Sequence, residues 1–284
     1  MAVTAAPYIA LIGGGYTLQH VAKLLPPQSF VMTSRSSETC ATWRAHGYTA
    51  HQVSLEDKRS IEDLFATYPS LRVVVDSVPP IRSSSDPALG VKNLCDVIKA
   101  AHVTRVIYLS TTGVFGGRDG RVITEETPPS PWNAQGEARW LSECAYRDHG
   151  IPMIALRLPA IYGPDRGLVH SLRQGSYRLV GKGEMWTNRI HVSDLARIIE
   201  RTISVADVPP VLCVSDDCPA QAQEVAEFVC AREGLPLPGF VSEEEVLRAG
   251  AFTMLSNQRV QNALLKKVLD IKLQYPSYRE GFYS

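Results

Sequence analysis

Along the first half of the chain, short apolar runs alternate with stretches whose apolar positions recur at helical spacing. The runs Tyr8–Ile12, Phe30–Thr33, Ala50–Val53, Val73–Asp76 and Val106–Leu109 are short and mostly rich in β-branched residues, which predicts strands. Helical spacing falls between them, at about Leu18–Leu25, Ser36–His46, Ile61–Tyr68 and Gly90–Ala101. Strands alternating with helices make βαβ units, and these assemble a parallel sheet covered on both faces. Right-handed crossovers then favour the doubly wound arrangement. A further helix at about Asn133–His149 leads to a sixth strand, Met153–Arg157.

Beyond Gly163-Pro164 the pattern loosens. Helices at about Val192–Val205, Ala220–Glu233 and Glu243–Gly250 surround a strand-like Val211–Ser215. The expectation is an α/β fold, a doubly wound, mostly parallel sheet of the Rossmann type followed by a small C-terminal helical lobe. Residues 1–165 would form the sheet domain. Residues 166–284 would add the last sheet elements and the lobe, across a soft boundary.

Composition narrows the function classes. The chain has 284 residues, 45% of them hydrophobic, enough to bury a sizeable core. Its 29 basic and 29 acidic residues cancel, so charge offers no attraction for nucleic acid or an anionic membrane. No apolar segment approaches the ~20 residues of a membrane span, and Met1–Pro7 lacks the basic start of a secretory leader. Cys40, Cys95, Cys144, Cys213, Cys218 and Cys230 are dispersed, with no Cys-x-x-Cys pair and no zinc-ligand spacing. A cytoplasmic protein with free thiols, no metal, no nucleic-acid or membrane partner and a small-molecule substrate is the expectation.

Between the first strand and the first helix lies Gly13-Gly14-Gly15-Tyr16-Thr17-Leu18. In a dinucleotide-binding turn the first glycine permits the tight bend and the second lets backbone approach the pyrophosphate. The third allows close packing of helix on strand. Gly13 and Gly15 fill the first two roles, and the helix start offers amides and a positive dipole end to phosphate, with Tyr16 and Thr17 beside it. Leu18 stands in the third slot, a departure that affects packing rather than phosphate contact. The second strand ends in Thr33-Ser34-Arg35-Ser36 with no carboxylate to accept a ribose 2′-hydroxyl. Ser34 and Arg35 suit a 2′-phosphate, because a guanidinium can grip it bidentately. NADP(H) is therefore read over NAD(H).

The segments VIYLSTTGVFGG (106–117), ITEETPPSPW (123–132), ALRLPAIYGPDRG (155–167) and NRIHVSDLARII (188–199) occur in that order. Together they resemble the extended short-chain dehydrogenase/reductase superfamily of NAD(P)-dependent epimerases, dehydratases and reductases. Pro79-Pro80 and the closing YPSYREG (275–281) are similar to an atypical subgroup of it. The resemblance implies that Val78, Pro79, Pro80, Ser110 and Pro159 lie along the cofactor and that Thr111 takes the place of the catalytic Ser/Thr. It also implies fold-stabilising roles for His191 and Asp194, and pairing through helices, hence a homodimer.

The same comparison exposes a departure. The family's active helix carries Tyr-x-x-x-Lys, with a glutamate one turn beyond the lysine. With Glu143 as that glutamate, the tyrosine slot holds Gln135 and the lysine slot holds Arg139. Glutamine has no titratable proton, and arginine keeps its charge but cannot shuttle one. Tyr162 is the alternative proton donor; Thr111 with water would suffice for an imine or activated alkene. Thr112, Val114, Trp132, Trp186, Arg189 and Arg259 are expected to line the substrate pocket, arginines there suiting an anionic or nucleotide-linked substrate. The leading reading is an NADP(H)-dependent oxidoreductase or epimerase/dehydratase-like enzyme with a non-standard proton path. The alternatives are an inactive NADP(H)-binding regulator or scaffold, and a non-redox lyase or isomerase on the same fold.

Overall fold

Each apolar run of the first half becomes a strand of one sheet in the computed structural model, which describes residues 8–80 and 85–284. Met1–Pro7, read above for a leader, lies outside the described residues. The first strands are β1 (Ile9–Ile12), β2 (Phe30–Ser34), β3 (Ala50–Gln52), β4 (Val73–Asp76) and β5 (Arg105–Thr111). They are followed by β6 (Arg121–Ile123), β7 (Met153–Leu158) and β8 (Ala160–Tyr162). The sheet runs in the order Val211–Cys213, β7, β5, β4, β1, β2, β3. β1 pairs in parallel with β2 and β4, Ile9 lying opposite Phe30 and Val73. β2 with β3 and β4 with β5 are parallel too. Every residue of β1 and of β4 is buried, as expected when helices cover both faces of a parallel sheet.

The helices α1 (Tyr16–Ala22), α2 (Ser37–Ala45), α3 (Lys58–Thr67), α4 (Leu89–Ala100), α5 (Ala134–Asp148) and α7 (Val192–Ser204) follow the predicted spacing within a few residues, whereas the short α6 (Leu168–Arg173) was not expected. Ser36 caps α2 by accepting from the Thr39 amide at 3.1 Å, and Asp57 caps α3 by accepting from Arg59 at 3.1 Å. From α3 and α4, Ile61, Leu64, Leu94 and Ile98 pack into one cluster with Ala10, Val31 and Val74 of the strands.

Two compact units emerge. The first comprises the described residues up to Ser110 together with Glu137–Leu156 and Ala196–Val211; the second comprises Thr111–Gly136, Arg157–Leu195 and Leu212–Ser284. This differs from a single cut near residue 165, because the chain re-enters the first unit to supply most of α5, β7 and the later part of α7. The second unit is also less helical than expected. Beside the helices Ala222–Glu233 and Glu243–Arg248 it holds four two-stranded ladders, such as β6 with Gln258–Val260 and β8 with Arg189–His191. Strands of two or three residues are too short for alternation to register in sequence. Asp194 takes the amides of Gln274 and Tyr275 at 2.8 and 2.7 Å, which fastens the YPSYREG segment and fits a fold-stabilising role.

Candidate active site

In the first unit, each glycine of the turn meets a different demand. Gly13 has φ +81°, and a Cβ there would fall 2.9 Å from Val78 Cγ2. A Cβ on Gly14 would lie 2.5 Å from the Trp43 ring, a packing constraint that sequence spacing did not reveal. Gly15 is exposed and a Cβ on it would meet nothing nearer than 3.9 Å, so here the backbone is open to a ligand. No side chain caps the start of α1 and no acidic residue sits in its first turn, an arrangement compatible with an anion. Thr33, not among the expected residues, fixes the bend by accepting from Gly13 N through Oγ1 at 3.2 Å and from Gly14 N through its carbonyl at 2.8 Å. Leu18 is fully buried and Thr17 nearly so, while Tyr16 stacks on His20 with centroids 4.8 Å apart. Ser34 accepts from Ser36 N at 3.1 Å, and the Arg35 side chain is 77% exposed, 3.9 Å from Glu56.

Val78, at the exit of β4, is held at both backbone polar groups. Its amide donates to Asp76 Oδ1 at 2.9 Å, and its carbonyl accepts from Arg139 Nη1 at 3.2 Å. The same Nη1 faces Leu109 O and the Tyr108 hydroxyl, each at 3.1 Å. Tyr146 donates to Asp76 Oδ2 at 2.7 Å, and its ring lies 5.4 Å from that of Tyr108. Burial pushes the Asp76 carboxyl upward against these hydrogen bonds and the Arg139 charge. Beyond this segment Pro79 is exposed and Pro80 half-buried. The Ser110 hydroxyl donates to buried Glu143 at 2.6 Å, so it is committed to the protein.

A cavity of about 520 Å³ opens in the second unit. Of the residues singled out in the sequence, Thr111, Thr112, Trp132, Gln135 and Pro159 line it. They meet because Gly136 is a glycine: a Cβ there would sit 2.6 Å from Gly113 O, so the start of α5 lies against the 3₁₀ turn Thr112–Phe115. Thr111 Oγ1 accepts from Gly113 N at 3.1 Å, which leaves the hydroxyl proton for another acceptor. Among the described residues, the charged side chains in the lining are Arg166 and Arg178, with no carboxylate, histidine or lysine. The other expected residues lie outside it. Val114 is core, and Arg189 is 94% buried beneath the Tyr278 ring, 5.0 Å away. Arg259 stacks on Trp186 at 5.2 Å and donates to Gly120 O at 2.8 Å.

Tyr162 is corrected by its surroundings. It is 2% exposed, donates to Ser277 O at 3.3 Å, packs edge-on against His191 and Phe282, and is pushed far above the ordinary phenol range by burial. It does not line the cavity and is not placed to give up a proton there. Arg259 was expected from the sequence, and its neighbour Gln258 was not. Along Gln258–Val260 burial alternates, so Gln258 turns inward while Arg259 turns out. Gln258 Nε2 donates to Thr112 O at 3.1 Å, whereas Oε1 is buried with no partner among the described residues. Among the described residues no helix is long and apolar enough to cross a membrane, and no group of three or more metal-type side chains gathers.

The sequence model of the NAD dependent epimerase/dehydratase family matches residues 10–210. A functionally unknown conserved protein from Silicibacter pomeroyi DSS is 31% identical, with a TM-score of 0.79 over 97% of this chain and 96% of that one. The dTDP-glucose 4,6-dehydratase of Bacillus anthracis, solved in complex with NAD, shares the fold at 18% identity, with a TM-score of 0.77 over 97% and 94% of the two chains. UDP-glucose 4-epimerase 2 of Oryza sativa subsp. japonica is 29% identical over 107 residues, 34% of this chain and only 26% of that protein.

Proposed function

Because the chain belongs to the NAD dependent epimerase/dehydratase family, we propose that it is an NADP(H)-dependent oxidoreductase or epimerase/dehydratase-like enzyme acting on a small anionic molecule. The observation that carries the reading is the glycine turn, where Gly15 leaves backbone open beside the uncapped start of α1. Arg35, exposed at the end of β2, supports a 2′-phosphate and hence NADP(H). When bound, the nicotinamide supplies a hydride acceptor or donor. The chain's own part is to hold the phosphates at Gly13 and Gly15 and to orient the substrate with Thr111, Thr112 and Gln258.

Arg166 and Arg178 bring positive charge to the lining, which fits an anionic substrate; a nucleotide-linked sugar, the class named in two of the relatives above, satisfies that charge. With Gln135 and Arg139 in the Tyr/Lys slots, the reading assigns the hydrogen bond to the reacting oxygen to Thr111, with solvent as the ultimate proton source. Calorimetric titration with NADPH and NADH tests this. NADPH should bind the tighter, and Gly15→Asp should abolish binding by setting a carboxylate against the phosphates; a chain that ignores both nucleotides sinks the proposal. The lining's lack of any residue that titrates near neutrality also favours a second reading, a nucleotide-binding regulator. It requires NADP⁺ and NADPH to affect a partner's binding differently.

A further inference from the structure

Arg139 could serve as a remnant, as a ligand for the cofactor, or as part of the protein's own scaffold, and its hydrogen bonds discriminate. One nitrogen, Nη1, faces three protein acceptors: Val78 O at 3.2 Å, Leu109 O at 3.1 Å and Tyr108 Oη at 3.1 Å. Two of these are carbonyls just beyond β4 and within β5, strands that pair side by side. Val78 is the residue on which Gly13 rests, for its Cγ2 occupies the space where a Gly13 Cβ would go. Ser77 adds a hydroxyl donated to Gly13 O at 3.3 Å. Asp76 holds the other side of Val78, and Tyr146 holds Asp76. The polar side chains thus close a ring, from Asp76 to Val78 to Arg139 to Tyr108, whose ring packs on that of Tyr146. The member of the ring that touches the glycine turn is Val78.

We infer that Arg139 is a positioning residue for the nucleotide turn: by clamping Val78 it holds Gly13, and with it the open backbone at Gly15, in the shape that receives the dinucleotide. The inference rests on the nucleotide reading of that turn. It assigns Arg139 a task a lysine performs less well, because an ammonium on a shorter stem does not reach the place that Nη1 occupies among these three acceptors. The test is NADPH titration of the unsubstituted chain, Arg139→Met, Arg139→Lys and Arg105→Met. Arg105 is the control, an arginine of the same unit whose guanidinium donates to the carbonyls of Thr202, Ile203, Val205 and Ala206. Arg139→Met should weaken NADPH by about tenfold or more, with Arg139→Lys recovering part of the loss. Arg105→Met should lower the thermal midpoint yet leave affinity within about twofold. In the ligand-free protein, hydrogen exchange at the Val78 amide should quicken in Arg139→Met and not in Arg105→Met. Unchanged affinity in Arg139→Met overturns the inference, as does an equal loss in Arg105→Met, which would reduce the role to general stability. Should Arg139→Met not fold, Arg139→Lys carries the test, and affinity equal to the unsubstituted chain overturns the inference. If the unsubstituted chain binds neither NADPH nor NADH, the nucleotide reading falls and this inference with it, a result the parallel titration keeps distinct.

Discussion

Asp216 shows what a single buried carboxylate does to the pH dependence of the fold. Its Oδ1 accepts from Cys218 N at 3.2 Å, while Oδ2 is buried with no partner among the described residues, as are Ser215 Oγ and Arg189 Nη1. Burial raises the carboxyl from 3.8 to about 7, against the opposing pull of the Arg189 charge. A group that binds its proton more tightly folded than unfolded stabilises most below the unfolded value, and that stability is lost as pH rises through the folded one. The unfolding free energy read from urea denaturation should therefore fall between about pH 4 and pH 8, by an amount on the order of a few kcal/mol. Asp216→Asn should flatten the profile; an unchanged slope would mean that other groups set it. At the same scale Arg35→Ala should weaken NADPH by about tenfold while barely changing NADH. A parallel loss for both nucleotides would count against the 2′-phosphate contact. The place of Arg35, just past the end of β2, was legible in the sequence because the apolar run that makes the strand stops there. Thr33 was not, because its hydroxyl acts through a backbone bend that spacing does not encode.

At the scale of elements, α5 and the Thr112–Phe115 turn approach through two glycines. Gly136→Ala would place a methyl 2.6 Å from a backbone oxygen that has no rotamer to move, so the elements must separate. The expected cost is about 1–3 kcal/mol in chemical denaturation, together with weaker binding of an anionic ligand in the cavity that Thr111 and Gln135 line. Wild-type stability in the variant would show that the junction yields freely. The strands of the main sheet were readable because burial on both faces demands unbroken apolar runs, as in Ile9–Ile12 and Val73–Val75. Their neighbours in the second unit were not. Gln258–Val260 and β6 are three residues long, and what fixes them is tertiary: Asn188 Nδ2 donates to Gln258 O at 2.7 Å, and Val260 N donates to Asn188 Oδ1 at 2.8 Å.

For the whole molecule, four ordered motifs sufficed to read the fold and family, whereas the cavity draws on segments scattered from Thr111 to Gln258 whose inward faces no local pattern announces. The interleaving also has a direct test. A chain cut at residue 165 loses the strand Val211–Cys213, which borders β7, and the Ala196–Val211 stretch of the first unit. The carbonyls that Arg105 bonds go with it. Such a fragment should lack the cooperative thermal transition of the full chain when followed by circular dichroism; a sharp transition in the fragment would refute the point. The same order of strands sets a timetable on the ribosome. The first unit begins at the start of the chain but is completed only at Val211, and synthesis at about 5–20 residues per second puts tens of seconds between its early strands and its last piece. Through that interval the nascent sheet waits with a bare edge, first along β5 and then along β7, and an unpaired edge is where strands of other chains can attach. This is a protein for which the cell's holding chaperones matter most before the strand Val211–Cys213 has been synthesised.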